Sequence, residues 1–141
     1  MKYTVLLILL LICGCTSSSE SGQVEADLMS IAMQYHQYVS EVKSPPVDIE
    51  SLVNFRDPYS SLPGNKDTSD AKTAALASGE YVVHWGYDVS ADLSRNASVV
   101  LTYHRKVPTE GGFVAYADGS VGRITKEQFA GAKQASEFVS E

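Results

Sequence analysis

Hydrophobic positions between Gln23 and Val42 recur at the spacing of one face of an α-helix. They fall at steps of three and four residues, and polar or acidic side chains occupy most positions between them. The apolar set is Val24, Leu28, Ile31, Tyr35, Tyr38, Val39 and Val42. The pattern predicts an amphipathic helix roughly 30 Å long. Ser44-Pro45-Pro46 ends this helix, because proline lacks a backbone N–H and restricts the residue before it.

Beyond Gly79 the hydrophobic period changes to two, which is typical of strands. The alternation predicts one strand over residues 81–88 and a second over residues 99–104. Residues 112–124 predict a β-hairpin, since Asp118-Gly119 lies between two apolar alternations and favours a two-residue type I′ turn. That turn would pair Phe113 with Ile124 and Ala115 with Gly122 on one face of the hairpin.

Two short helices and one long loop complete the predicted elements. Asp48 is a predicted N-cap for a helix from Ile49 to about Phe55. Thr125-Lys126-Glu127-Gln128 predicts a capping box that opens a C-terminal helix. Residues 56–78 predict a surface loop with a helical turn over residues 71–77. We therefore expect an α+β fold: a long N-terminal amphipathic helix packed on a four-stranded antiparallel meander, with a short C-terminal helix.

The first fourteen residues have the features of a secretory signal. Lys2 supplies a positive charge, and the apolar run from Val5 to Ile12 follows it. Eight helical residues rise only about 12 Å, far less than the ~30 Å of a hydrocarbon core. Ile12-Cys13-Gly14-Cys15 resembles the bacterial lipobox, which implies cleavage between Gly14 and Cys15 and a diacylglyceryl thioether on Cys15. The alternative is an ordinary signal peptide whose cysteines are incidental.

The predicted organisation is a signal peptide over residues 1–14, a lipidated cysteine with a flexible tether over 15–22, and one domain over 23–141. The location that follows is the bacterial cell envelope, with the domain facing the periplasm. Thr16 rather than aspartate follows Cys15, which by analogy with Gram-negative sorting favours the outer membrane. After removal of the signal no second cysteine remains, so no disulfide can form within the chain.

Composition places the 141-residue chain among single globular domains, with 44% hydrophobic and 20% charged residues. The formal net charge of −6 argues against a nucleic-acid partner, because binding to phosphate backbones needs a clustered excess of cations.

Three histidines are the first candidates for chemistry. His84 and His104 lie on predicted strands, and Asp88 could share their face, so a metal site is conceivable. No close ligand spacing such as His-x-His is present, and we therefore expect two sheet histidines rather than metal ligands. His36 is predicted to lie at the boundary of the apolar helix face.

Other catalytic or ligand-binding motifs are incomplete. Ser120 lacks the glycine two positions before it that a nucleophile elbow needs, and Gly64-Asn65-Lys66 is too short for a phosphate loop. Asp67 and Asp70 could contribute to a calcium site, but we favour a solvated acidic loop. We therefore predict no catalytic residue, no metal and no cofactor, and expect that the protein is not an enzyme.

Several segments together resemble the pseudopilin-like proteins related to the type II secretion major pseudopilin, especially planctomycete-type forms. The similarity runs from about residue 28 to 130 and rests on these segments: Tyr35-His36-Gln37-Tyr38, Pro45-Pro46, Trp85-Gly86, Val100-Leu101-Thr102-Tyr103 and Ala117-Asp118-Gly119-Ser120-Val121. The resemblance implies the globular α+β fold. Two features differ from the family: the lipobox replaces the pilin-type processing site, and Pro108 stands where many relatives have a histidine ten positions before the aspartate.

The function that these patterns favour is that of a non-catalytic, lipid-anchored envelope protein. Its partners would be the membrane and other envelope or secretion-system proteins. An exposed aromatic face on the domain would favour this hypothesis, because such a face is typical of protein-contact surfaces. The aromatic residues that could form such a face are Tyr81, Trp85, Tyr87, Tyr103 and Tyr116. The alternative is a small periplasmic ligand-binding or hydrolytic domain, which a closed polar pocket containing both His84 and His104 would favour.

Overall fold

A computed structural model of the protein describes residues 17–55 and 74–139. In chain order the elements are α1 (Ser17–Val42), α2 (Ile49–Val53), β1 (Tyr81–Val83), α3 (Leu93–Asn96), β2 (Val99–His104), α4 (Val107–Glu110), β3 (Gly112–Tyr116), β4 (Val121–Ile124), α5 (Lys126–Ala130), β5 (Lys133–Gln134) and a 3₁₀ turn (Ala135–Phe138). Residues 74–77 form one further helical turn, which falls in the segment where the sequence predicts one. Within the described ranges, no helix has both the length and the apolar character needed to cross a bilayer.

The sheet confirms the predicted fold class. Strands β1, β2, β3 and β4 pair antiparallel in chain order, and α1 lies against one face of this meander. The sequence did not predict β5, which pairs parallel with the first residues of β2 through Val99–Lys133 and Val100–Gln134. Because β1 pairs with the last residues of β2, strands β1 and β5 share one side of that strand.

The buried stripe of α1 is the one predicted from the sequence. Leu28, Ile31, Tyr35 and Val39 are buried, and they pack with β-sheet side chains that include Leu101. The helix begins at Ser17, six residues before the predicted start at Gln23. Once a helix is nucleated each added residue gains a hydrogen bond, and Glu20 in the first turn suits the helix dipole.

The second face of the sheet is also covered. Val100, Val107 and Val114 are buried there, and further partly buried side chains pack around them: Tyr103, Tyr116, Ile124, Phe129 and Ala132. Burial on both faces explains why β2 begins with four consecutive buried residues and does not alternate with exposed positions.

The predicted register of the hairpin is wrong by one residue. β3 and β4 pair through Gly112–Ile124, Phe113–Arg123, Val114–Gly122 and Ala115–Val121. The loop holds three residues, because the Tyr116 N–H donates to the Ser120 carbonyl at 2.8 Å and the Gly119 N–H donates to the Tyr116 carbonyl at 3.0 Å. This geometry is a type I turn followed by a left-handed glycine, the usual three-residue hairpin loop.

Asp118 explains why the turn is not type I′, which would need a positive φ at both Asp118 and Gly119. Gly119 has a φ of 87°, but among the described residues Lys43 is the only non-glycine with a positive φ. The Asp118 carboxylate instead accepts hydrogen bonds from the Ser120 N–H at 2.9 Å and the Ser120 hydroxyl at 2.6 Å. These bonds hold Asp118 in the ordinary turn conformation.

The predicted strand over residues 81–88 is too long, since β1 ends at Val83. Gly86 has a φ of 81°, and its N–H donates to the Pro46 carbonyl at 2.9 Å. The chain therefore turns at Trp85-Gly86 to dock on the segment that follows α1.

Both predicted caps are confirmed: Asp48 caps α2, and Thr125 and Gln128 form the capping box of α5.

Candidate functional site

A hollow that we call the α1 cleft lies between the first turns of α1 and the connection from β2 through α4 to β3. Its main part has a volume of about 460 Å³ and is lined by Glu20, Val24, Lys106, Glu110, Phe113 and Arg123, among others. A smaller hollow of about 210 Å³ adjoins it on the side of Asp27, Tyr81 and Arg105. Glu20, Val24, His104 and Lys106 line both parts, so the two form one continuous cleft.

Two glycines form part of the wall of the cleft. Gly111 has a φ of 73°, and a β-carbon there would lie 2.8 Å from the Ile124 carbonyl oxygen. Gly112 has a φ of 148° and lies against Val107. These conformations suit glycine alone, and they allow β3 to begin directly after α4. The Gly111-Gly112 pair is therefore a structural requirement of the cleft.

The main part of the cleft carries charges of both signs. Lys106 and Arg123 are exposed cations, and Glu20 and Glu110 are exposed anions. In residues 17–55 and 74–139 the ion pairs within 4.0 Å are Arg95–Asp92 and Lys126–Glu127, so none of the four cleft charges has an ionic partner there. The main part of the cleft thus offers two unpaired groups of each sign to a ligand, and the smaller part adds the charged residues Asp27, Glu80 and Arg105. 

The smaller part of the cleft contains a hydrogen-bonded tyrosine and carboxylate. The Tyr81 hydroxyl donates to Asp27 Oδ2 at 2.8 Å, and Gln23 Nε2 donates to Asp27 Oδ1 at 2.7 Å. Burial, followed by the hydrogen bond to Asp27, raises the pKa of Tyr81 well above its usual value. Tyr81 therefore stays protonated and acts as a hydrogen-bond donor.

His104 stands between the two parts of the cleft. Its ring packs edge-on against Tyr81 at a centroid distance of 5.6 Å, and its Nδ1 accepts from the Lys106 N–H at 3.3 Å. A neutral ring with an accepting Nδ1 carries its proton on Nε2. His104 can therefore donate a hydrogen bond through Nε2.

His84 lies on the other face of the sheet from His104, so the two predicted candidates do not meet. His84 Nε2 lies 3.0 Å from Gln134 Oε1, and its ring packs near Tyr103. Burial lowers the pKa of His84 below its usual value, although the Gln134 hydrogen bond opposes this shift. Asp88 is exposed and accepts from the Ser90 N–H at 2.9 Å. Among the described residues, no three His, Cys, Asp or Glu side chains gather as metal ligands would.

His36 lies at the boundary of the α1 stripe, as the sequence predicts. It is half-buried, and its Nε2 is a buried atom without a hydrogen-bond partner in the described part of the chain. The ring lies next to the hairpin turn, 3.7 Å from the position that a β-carbon on Gly119 would take. The helix and the hairpin therefore meet at His36.

The five aromatic residues singled out in the sequence do not form an exposed face. Tyr81 and Tyr87 are buried, and Trp85, Tyr103 and Tyr116 are half-buried. The large exposed apolar side chains are others, which sequence patterns did not identify: Met29, Met33, Val42, Val47, Leu93, Phe138 and Val139.

Five of these exposed side chains lie on segments that come near one another, and we call them the distal apolar patch: Val42, Val47, Leu93, Phe138 and Val139. Val42 is the last residue of α1, and the carbonyl of Pro46 holds Gly86. A β-carbon on Gly86 would lie 3.1 Å from Val139, and the Arg95 guanidinium of α3 lies 4.7 Å from the Phe138 ring centre. These contacts place the patch at the end of the domain where α1 ends.

The positions of the remaining predicted site residues are not described by the structure. Gly14, Cys15, Asp67 and Asp70 lie outside the described residues. The charged residues of the α1 cleft were not singled out in the sequence, since they come from four separate segments. The run His104-Arg105-Lys106 is the one local signal that could have indicated them. In comparisons with known proteins, no protein family, curated protein or solved structure matches this chain.

Proposed function

We propose that the chain is a lipid-anchored cell-envelope protein whose pseudopilin-like domain makes non-catalytic contacts with other envelope proteins. The lipobox residues Ile12-Cys13-Gly14-Cys15 support the anchor. The helix and antiparallel meander, joined to the Asp118-Gly119 hairpin, support the likeness to pseudopilin-like domains. The proposed membrane is the outer membrane, with the domain on its periplasmic side.

The observation that carries this proposal is the direction of α1, which runs from near Cys15 to the opposite end of the domain. The helix begins two residues after Cys15, and its 26 residues give it a length of roughly 39 Å. The distal apolar patch lies at its far end, where Val47 and Leu93 are 70% and 74% exposed. Exposed apolar clusters typically mark contacts with partners. A chain held at Cys15 would therefore present this patch away from its anchor.

Fatty-acid labelling tests the anchor. The wild type should take up radiolabelled palmitate and fractionate with outer membranes, and Cys15→Ser should lose both the label and cleavage after Gly14. Cys13→Ser is the matched control, because it changes a neighbouring cysteine and leaves the proposed cleavage position intact. An unlabelled wild type, or an equally labelled Cys15→Ser variant, would refute the lipoprotein assignment.

Cross-linking in membranes, followed by mass spectrometry, tests the contact surface. Secretion or pilus components should be recovered with the wild type and lost with Leu93→Ser. Met33→Ser is the control, because Met33 is an equally exposed apolar residue on the outer side of α1, away from the patch. If Leu93→Ser and Met33→Ser change the recovery of these components to the same extent, a role for the patch is contradicted.

A ligand-binding domain is the second candidate function, and the α1 cleft is the observation that favours it. The alternative based on a pocket shared by His84 and His104 has no such support, since these residues lie on opposite faces of the sheet.

A further inference from the structure

The α1 cleft combines three features that a recognition site for a small zwitterion needs. It has a volume of about 460 Å³, enough for a small polar molecule. Lys106 and Arg123 reach it from β2–α4 and β4, and Glu20 and Glu110 reach it from α1 and α4. The four charges come from three parts of the chain, namely α1, the turn from Lys106 to Glu110 and β4, and they make no ion pair with one another in the described part of the chain.

We propose that the α1 cleft binds a phosphate ester that carries a primary amine, namely the phosphoethanolamine headgroup of a membrane phospholipid. The assignment to a lipid rests on the proposed anchor at Cys15. The assignment to a phosphoamine rests on the cleft alone.

Phosphate is the anion that suits the two cations that line the main part of the cleft. An arginine guanidinium offers paired N–H donors to phosphate oxygens, and a lysine ammonium adds a point charge. Arg123 and Lys106 supply these two groups, and His104 adds an Nε2 donor beside them. Their combination is typical of phosphate binding.

A primary amine suits the two carboxylates that line the same part of the cleft. Glu20 and Glu110 would accept hydrogen bonds from an ammonium group. A headgroup that is only anionic would meet both carboxylates as like charges, and a quaternary ammonium would have no N–H to donate. The cleft is therefore expected to select phosphoethanolamine over phosphate alone and over phosphocholine.

The start of α1 places the cleft next to the bilayer. An extended chain spans at most about 3.6 Å per residue, so Ser17 would lie within roughly 7 Å of the lipidated Cys15. Glu20 in the first turn of α1 lines the cleft. Headgroups would then be present at high effective concentration, and a weak site would be occupied.

The first experiment tests the cleft without the anchor. The mature chain is expressed from residue 15 onward with Cys15→Ser, so that no signal has to be removed. It is titrated with O-phosphoethanolamine, and amide chemical shifts are followed by NMR. Saturable shifts are expected at Lys106, Glu110–Phe113 and Arg123. Arg123→Gln should weaken binding by about tenfold, the loss expected for one charge-assisted hydrogen bond. Lys133→Gln, which removes an exposed lysine outside the cleft, should leave the affinity unchanged.

Selectivity provides the decisive comparison. Glu110→Gln should weaken the binding of O-phosphoethanolamine and strengthen that of inorganic phosphate, since it removes a carboxylate that repels phosphate. Absence of saturable shifts, or equal affinity of the unsubstituted cleft for inorganic phosphate, ethanolamine or phosphocholine, would overturn the proposal.

The second experiment identifies the source of the ligand. The acylated full protein is placed in nanodiscs of phosphatidylethanolamine or of phosphatidylcholine, and hydrogen exchange is measured over residues 107–113. Slower exchange in phosphatidylethanolamine, abolished by Arg123→Gln, is expected. Equal exchange in both lipids would overturn the lipid assignment and leave a soluble phosphoamine as the ligand. Failure of the wild type to become acylated would refute the proposed function, and the first experiment would still decide the chemistry of the cleft.

Discussion

Replacing Tyr35 by phenylalanine isolates one buried hydroxyl that ties α1 to the loop after β1. Tyr35 has 0% exposure, and its hydroxyl donates to the Tyr87 carbonyl at 2.9 Å. Tyr35→Phe keeps the ring and its packing against Trp85, but leaves that carbonyl without this donor. Loss of such a buried hydrogen bond costs about 1–3 kcal/mol of unfolding free energy at neutral pH.

The same variant should respond differently to alkaline pH. Burial raises the pKa of Tyr35 well above the value of about 10 that it has in the unfolded chain. The stabilisation due to its protonated form is therefore complete below pH 10 and is lost as the pH rises above it. At pH 11 the wild type should have lost about 1.4 kcal/mol through this group, whereas phenylalanine loses nothing. The destabilisation by Tyr35→Phe should accordingly shrink or change sign at pH 11.

Urea unfolding followed by circular dichroism at pH 7 and pH 11 measures both effects. Tyr38→Phe is the matched control, because Tyr38 lies three residues further along α1, is half-buried, and makes no hydrogen bond through its hydroxyl in the described structure. The control should change the unfolding free energy little at either pH. A Tyr35→Phe variant with wild-type stability at pH 7, or with a difference from the wild type that does not depend on pH, would refute the assignment of a buried, protonated Tyr35 hydroxyl.

Three further changes test the fold and the histidine sites. Gly119→Val should lower the free energy of unfolding by about 1–3 kcal/mol in a thermal melt, because valine strains the left-handed turn. Gly131→Val is the control and should lower it less, since Gly131 has a φ of −96°. Asn96→Ala should cost about 2–4 kcal/mol in urea unfolding, since Asn96 is fully buried and bonds both the Tyr87 hydroxyl and the Val89 carbonyl; wild-type stability would contradict this. Zinc or calcium should barely change the melting temperature, and a stoichiometric increase abolished by His84→Ala would contradict the structural role of His84.

The helices were predictable because their signals are local. The stripe from Leu28 to Val39 needs only the helical period, and the caps at Asp48 and Thr125 need only the next three residues. The early start of α1 at Ser17 was not predictable in this way, since serine has a modest helix propensity and the Ser-rich segment has no apolar stripe.

The hairpin register depends on packing that the sequence pattern does not show. An Asp-Gly pair fits both a two-residue and a three-residue loop, and the choice shifts every cross-strand pair. In the observed register Val121 pairs with Ala115 beside α1, and Gly122 lies beneath Tyr116, where a β-carbon would lie 3.3 Å from the ring. Tertiary contacts on both faces of the sheet thus select the loop.

The α1 cleft was still less predictable, because its charges converge only in the folded chain. Glu20 and Arg123 are far apart in sequence, and each alone resembles an ordinary exposed residue. The formal net charge of −6 also does not reveal that charges of both signs, such as Arg123 and Glu20, meet in one cleft. Net charge argues against a nucleic-acid backbone as partner, but says nothing of a small zwitterion.

A lipid on Cys15, as proposed, would favour one orientation of the domain because of what lies at the two ends of α1. The connection from Cys15 to Ser17 is too short to carry the distal apolar patch to the bilayer, because the patch lies roughly 39 Å along the helix. An alternative pose would lay α1 flat on the membrane, but its outer side exposes Glu25 and Glu41, which anionic headgroups repel. We therefore expect α1 to stand away from the surface. In that orientation the α1 cleft would face the headgroups. The distal apolar patch, which includes Leu93, would then be available for contacts with proteins.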